Sequence, residues 1–182
     1  MINNYINIIE DFLSKEECNF ILNKCKEELE LSTALVTDGN PNKRKSSISW
    51  VDDLGDVNER LKNILKSQFN FLGMEVTGLK SFQFTEYKVG EFYEWHTDRG
   101  PIMNRNRFVS TVIQLNDDYE GGLLEIKDTM GNLIPINQKS GSLYIFDSGL
   151  EHRVTPVNVN VRYSLVNWVS LVKTNVEKQK LI

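Results

Sequence analysis

From Gly78 onward the apolar residues stop recurring at helical spacing and fall into short β-rich runs, and this switch restricts the possible folds more than any other feature of the chain. The runs are Leu79–Tyr87, Glu91–His96, Phe108–Leu115, Leu123–Lys127, Ser142–Phe146, His152–Pro156 and Arg162–Leu171. Turn residues separate most of them: Val89-Gly90, Arg99-Gly100-Pro101, Asn116-Asp117-Asp118, Glu120-Gly121-Gly122, Met130-Gly131-Asn132 and Ser148-Gly149. No helical pattern intervenes, so the strands should pair antiparallel, as a sandwich or barrel rather than as alternating β-α units. Many short strands at fairly even spacing suit a double-sheet jelly roll.

The first 77 residues read differently. Ser14-Lys15-Glu16-Glu17 has the form of a capping box, with Ser14 as the cap and Glu17 reaching back. Cys18, Ile21, Leu22, Cys25 and Leu29 follow at helical spacing. A second helix is expected from about Asp56 to Asn70, with Val57, Leu61, Ile64, Leu65 and Phe69 on its buried face. Between them Thr37–Ser47, broken by Gly39 and Pro41, reads as a mobile loop, and its Lys43, Arg44 and Lys45 as a solvated turn. The expected architecture is one domain over 1–182: helical support and a substrate-side loop over 1–77, and a jelly-roll core over 78–172. The polar tail from Lys173 to Ile182 is expected to fray or to add a short end piece.

Composition narrows the function classes. With 182 residues the chain fits one compact domain, and 40% hydrophobic with 25% charged residues is ordinary for a soluble protein. A net charge of -4 argues against a general nucleic-acid binder. No apolar run approaches the roughly 20 residues that span a membrane, and the start has neither the basic flank nor the apolar stretch of a signal peptide. Cys18 and Cys25 lie on one face of a helix, facing the same way, so they are expected as buried free thiols in a reducing, cytoplasmic setting.

The chemistry centres on the two histidines of the chain. His96-Thr97-Asp98 follows the strand-like Phe92–Trp95, and residues two apart on an extended chain project to one side, so His96 and Asp98 can reach one ion together. His152 leads a later strand and can close the set. Two imidazoles and one carboxylate form the facial triad of iron(II) oxygenases, and zinc also accepts such ligands. Taken singly, each of these residues has an ordinary structural reading. Arg162-Tyr163-Ser164 strengthens the metal reading: an arginine with a hydroxyl on the same strand face suits a forked contact to a carboxylate. A buried arginine needs an anionic partner, either a bound dicarboxylate or an acid of the chain such as Glu125 or Asp147.

The order Tyr87…Gly90…Tyr93…His96-x-Asp98…Gly121-Gly122…Gly141…Phe146…His152…Arg162-x-Ser164…Trp168 resembles the 2-oxoglutarate- and iron(II)-dependent dioxygenases, and among them the prolyl 4-hydroxylase branch. Phe12-Leu13-Ser14…Glu17-Cys18 and Arg44…Ser46-Ser47 extend the resemblance over nearly the whole chain. It implies a double-stranded β-helix core, mainly β with flanking helices, preceded by two N-terminal helices. It implies that His96, Asp98 and His152 bind iron(II), and that Arg162, helped by Ser164 and Tyr87, holds the distal carboxylate of 2-oxoglutarate. Gln114 stands where some relatives place a tyrosine against the co-substrate, leaving Gln114 or Tyr87 as the second contact. Trp168 flanks the co-substrate pocket or fills the core. Tyr93, Trp95 and Arg44 fall on the substrate side, with core or strand-pair packing the alternative for the two aromatics. Gly121 and Gly122 permit a tight turn.

The implied reaction is hydroxylation of a C–H bond with oxygen as oxidant, ascorbate as reductant, and succinate and carbon dioxide as products. A prolyl residue in a peptide or protein is the expected target. The alternatives are a nucleobase, amino acid or small metabolite, or a non-catalytic binding module on the same fold. Lys43, Arg44, Lys45, Arg99, Arg105 and Arg107 read either as a basic rim for an anionic substrate or as solvated loop charges.

Overall fold

The computed structural model describes residues 5–36, 40, 42–79, 81–100 and 104–174. In chain order the elements are β1 (Ile6–Ile9), α1 (Lys15–Glu28), β2 (Ser32–Thr33), β3 (Arg44–Lys45), β4 (Ser47–Val51), α2 (Asp56–Phe71), β5 (Met74–Leu79), β6 (Phe82–Tyr87), β7 (Phe92–His96) and β8 (Val109–Gln114). There follow β9 (Glu120–Gly121), β10 (Leu124–Ile126), β11 (Leu143–Asp147), β12 (His152–Val154), β13 (Val157–Val159) and β14 (Arg162–Lys173). The large sheet runs β1-β11-β8-β14-β6-β4-β2, with β5 also on β14; a smaller one runs β10-β12-β7-β3, and β13 pairs β9. Every strand pair is antiparallel, as expected without crossover helices.

The longest strand shows how sequence becomes layer. Along β14, Tyr163, Leu165, Val169 and Leu171 join the main apolar core, while Arg162, Ser164, Val166 and Trp168 line a cavity on the opposite face. Side chains alternate across a strand, so a single segment builds both compartments. The main core is closed by the helices. In α1 the Ser14 hydroxyl accepts from the Glu17 amide at 3.2 Å and the Glu17 carboxylate from the Ser14 amide at 2.8 Å, the capping box read from sequence. Cys18, Ile21 and Cys25 of α1, and Val57, Leu61, Leu65 and Phe69 of α2, are the buried residues of these helices. Both cysteines are free and buried. Among the described residues no helix is long and apolar enough to cross a membrane.

The first 77 residues depart from expectation. They contribute four strands as well as helices, and β1, β3 and β4 pair with β11, β7 and β6 of the later segment. These strands have only two to five residues, too short for a period-two pattern to stand out, and long-range pairing rather than local propensity holds them. Within the expected loop over Thr37–Ser47, Arg44–Lys45 is therefore a strand, and the Ala34 amide reaches the Ser46 carbonyl at 2.9 Å. Thr37, Asp38, Gly39 and Pro41 lie outside the described residues, as do Lys80 and the tail from 175. Of the expected run Leu79–Tyr87, Phe82–Tyr87 is β6 and Leu79 ends β5, which starts at Met74 and so adds most of a fifth strand to the first 77 residues; the two follow one another along successive halves of β14.

Candidate metal centre and anion pocket

The site begins with an irregularity in β7. His152 pairs with His96 and Val154 with Tyr93, so two steps along β12 match three along β7: a β-bulge. The extra residue cancels one alternation, which puts Tyr93 and His96, three apart, on the same sheet face. Their rings stack with centroids 3.5 Å apart and 15° between planes. The chain then turns, and Asp98 is fixed by its amide to the Ser148 carbonyl at 3.0 Å. An Arg99–Asp147 ion pair of 3.1 Å and the Gly149 amide on Asp147 at 2.9 Å tie that turn to the end of β11.

His96, Asp98 and His152 converge so that one ligand atom from each lies within 4.8 Å of the other two. His96 Nε2 is 3.8 Å from Asp98 Oδ1, and His152 Nε2 is 3.4 Å from Asp98 Oδ2. Both Nδ1 atoms face backbone carbonyls, Glu94 O at 2.8 Å and Leu150 O at 3.0 Å. A carbonyl only accepts, so each Nδ1 carries a proton and each Nε2 is the ring atom turned toward Asp98 and the metal position. The Ser110 hydroxyl donates to Asp98 Oδ2 at 2.6 Å and meets the Ser148 hydroxyl at 2.8 Å.

Electrostatics divide the two imidazoles. Burial, with the His152 charge behind it, pushes His96 down to about 3. Burial also opposes a charge on His152, but the Asp98 carboxylate and its hydrogen bond outweigh it, and His152 is raised. Burial acts against the Asp98 charge as well; His152, His96 and Ser110 overcome it and hold the carboxyl well below its usual range. Burial thus keeps His96 neutral while Asp98 favours the charged form of His152, and a divalent cation would enter this donor set by displacing that proton.

The three residues line a cavity of about 400 Å³ shared with Arg162, Ser164, Tyr87, Tyr93, Arg44 and Trp168. Arg162 is only 1% exposed, donating to Ser164 Oγ at 3.1 Å and Gln114 Oε1 at 2.9 Å. Among the described residues no carboxylate pairs with it. The two acids considered from sequence are engaged elsewhere, Glu125 with Arg153 at 2.6 Å and Asp147 with Arg99 at 3.1 Å. Its Nε, the Tyr119 hydroxyl and the Thr85 hydroxyl are enclosed without a hydrogen-bond partner. A buried guanidinium held only by neutral groups is costly, and an anionic ligand in this cavity removes the cost.

Not every expected site residue reaches the cavity. Trp95 faces the other side of the sheet, with Lys127 Nζ 3.9 Å and Arg153 Cζ 4.7 Å from its ring centre; the bulge that turns His96 inward turns Trp95 outward. Gln114 lies behind Arg162 and is absent from the cavity wall. Of the expected basic rim, Arg44 and Arg107 line the cavity, over the Tyr93 and Trp168 rings at 4.6 and 3.8 Å, whereas Lys43, Lys45, Arg99 and Arg105 do not. Sequence reasoning missed Ser110, Ser148 and Tyr119. Ser110 had a faint signal, a serine on the inward face of a strand otherwise apolar in its middle; Tyr119 had none.

Comparison with known proteins agrees with this geometry. Residues 82–170 match the model of the 2OG-Fe(II) oxygenase superfamily. A PKHD-type hydroxylase of Synechococcus sp. (strain JA-2-3B'a(2-13)) is 31% identical over 102 residues, covering 52% of this chain and 45% of that protein. One from Rippkaea orientalis is 29% identical over 195 residues, covering 95% of this chain and 82% of that protein. The chain spans about half the length of the first curated relatives it matches, 45–46%. Among solved structures, a Pseudomonas putida prolyl-4-hydroxylase superposes with a TM-score of 0.73 at 25% identity, covering 92% of each chain. A Trichoplax adhaerens prolyl hydroxylase, solved with a hypoxia inducible factor peptide, gives 0.73 at 21% identity over 91% of this chain and 83% of that one, which bears on the fold alone. The resemblance drawn from sequence is borne out.

Proposed function

Residues 82–170 belong to the 2OG-Fe(II) oxygenase superfamily, and from that premise we propose that this chain is a single-domain hydroxylase whose target is a prolyl residue of a peptide or protein. The observation that carries the reading is one cavity holding both a His-Asp-His donor set and a buried arginine without an acid of its own. When bound, iron(II), 2-oxoglutarate and oxygen supply the oxidising chemistry, yielding succinate, carbon dioxide and a hydroxylated substrate, with ascorbate as the expected reductant. His96, Asp98 and His152 would hold the metal, leaving its other positions open.

The chain's own residues do the rest. The two Nδ1–H groups keep both rings aimed by donating to Glu94 O and Leu150 O, and Ser110 steadies the carboxylate. Arg162 and Ser164 hold the distal carboxylate of the co-substrate, with Tyr87, its ring centre 5.5 Å from the guanidinium carbon, packed alongside. Val112, Val154 and Val166 make part of the wall apolar and exclude water from the reacting groups. Tyr93, Arg44 and Arg107 line the same cavity, and Trp50, 47% exposed, stands at its edge as the substrate side. The likeness to the P. putida prolyl-4-hydroxylase supports a prolyl target, and that to the PKHD-type relatives supports a hydroxylase. The two buried thiols suit a reducing, cytoplasmic setting.

A second reading has its own observation. Among the described residues Arg44 donates only to the neutral Ser46 and Gln83, and Arg107 Nε has no partner. Two such arginines favour a substrate that carries a carboxylate, prolyl or not. The test is succinate formation from 2-oxoglutarate with iron(II) and ascorbate in air. Stimulation by a proline-rich peptide supports the proposal. Turnover indifferent to the peptide removes the prolyl target, and none at all with metal bound leaves a binding module.

A further inference from the structure

The oxygenase reading gives the distal carboxylate of 2-oxoglutarate to Arg162 and Ser164 and leaves one further contact unassigned, for which the sequence offered Gln114 or Tyr87. Gln114 cannot make it. Both Nε2 hydrogens are spent on the carbonyls of Asn116 (3.0 Å) and Tyr163 (3.1 Å), and its Oε1 accepts from Arg162 at 2.9 Å. With no hydrogen left and an acceptor turned to the guanidinium, it steers Arg162 but offers a carboxylate nothing.

Tyr119 has what Gln114 lacks. Like Gln114 it lies outside the cavity wall, against Arg162, but its hydroxyl is enclosed with no acceptor for its proton, and Arg162 Nε has no hydrogen-bond partner. The two side chains close over the same backbone: a Cβ on Gly122 would stand 3.1 Å from Arg162 Cδ and 3.3 Å from Tyr119 Cε2. Glycine at 122, read from sequence as a turn residue, therefore also clears the space in which they meet. The loop carrying Tyr119 is braced from both sides. Asn116 Nδ2 donates to Asp118 Oδ1 and to Val161 O, each at 2.7 Å, and Asn160 Nδ2 donates to Asp118 O at 2.6 Å. Burial raises the phenol's pKa against the Arg162 charge and a hydrogen bond with that side chain; a guanidinium only donates, so the phenol oxygen accepts there and its own proton remains to be donated. Two unpaired donors side by side in an enclosed space are satisfied together by one carboxylate.

We propose that Tyr119 joins Arg162 and Ser164 as a third residue that binds the distal carboxylate of 2-oxoglutarate. This rests on the oxygenase reading above. The experiment is calorimetric titration of the Mn(II)-loaded protein without oxygen, using 2-oxoglutarate and, by competition, 2-oxobutyrate, which lacks the distal carboxylate. Tyr119→Phe, with unchanged circular dichroism and Mn(II) affinity, weakens 2-oxoglutarate about tenfold or more and leaves 2-oxobutyrate as in the parent. Equal 2-oxoglutarate affinity in variant and parent overturns the inference and leaves the oxygenase reading standing. So does an equal loss for both ligands, which would mark Tyr119 as structural; a Gly122→Ala variant, which crowds the two side chains without removing the hydroxyl, then shows no selectivity between ligands either. A parent protein that binds Mn(II) but no 2-oxoglutarate sinks the oxygenase reading, and this inference with it.

Discussion

Asp98 stands between two imidazoles, and besides His152 its carboxylate takes a hydrogen bond from the Ser110 hydroxyl at 2.6 Å. Removing that hydroxyl frees one carboxylate oxygen to rotate away from the metal. Ser110→Ala is expected to lower metal affinity on the order of 10- to 100-fold while the protein stays folded, as read by competition against a chelator. The same cluster predicts a pH dependence. His152 is raised by Asp98, so it keeps its proton to a pH above the ordinary histidine value of about 6.5. An entering metal must displace that proton, so apparent affinity climbs as pH rises from that value and levels off once His152 is neutral. His96, pushed down to about 3, adds no proton competition over this window. Mn(II) titrations between pH 6 and 8.5 check the slope; a flat profile would mean that His152 is not a ligand.

At the scale of the element, the β7 bulge decides which aromatic belongs to the site. Tyr93 lies against His96, and Trp95 is sandwiched between Lys127 and Arg153 on the opposite face. Cation–π contacts at partly exposed sites contribute about 0.5–1 kcal/mol each. Trp95→Ala should therefore cost roughly 1–2 kcal/mol in urea denaturation and leave 2-oxoglutarate affinity unchanged; a loss of affinity would place Trp95 in the site after all. Alternation read on β14 was reliable because the strand is regular from Arg162 to Trp168 and buried on both faces, one toward the main core and one toward the cavity. On β7 the resemblance put Tyr93 and Trp95 together on the substrate side, and the bulge parts them: it is set by the partner strand and leaves no mark in the residues themselves.

For the whole molecule, one backbone contact ties the entry to α1 to the turn before β11, beside the apolar packing of both helices on the sheet. Leu13, just before α1, donates its amide to the Gly141 carbonyl at 3.1 Å, and Gly141 has φ +81°. A Cβ there would sit 2.1 Å from the Leu13 carbonyl oxygen. Gly141→Ala combines left-handed strain with a backbone clash and is expected to cost about 3 kcal/mol of stability, measured by urea denaturation. Metal affinity of the folded fraction should remain near that of the parent, because Gly141 lies outside the cavity wall.

What the chain's residues determined by themselves is local chemistry: the capping box of α1, the apolar stripe of α2, the alternation of β14, and a metal set readable because there were only two histidines to choose from. The sequence also narrowed the partner of Arg162 to a bound anion or one of two acids. Tertiary structure removed the acids by pairing them with Arg153 and Arg99, and it drew β1, β3 and β4 into sheets that no local pattern announced. It also brought Tyr119 beside Arg162 across the Gly122 turn. The division is physical: periodicity and capping act over a few residues, whereas register, bulges and the partner of a buried charge are set by strands far apart in the chain.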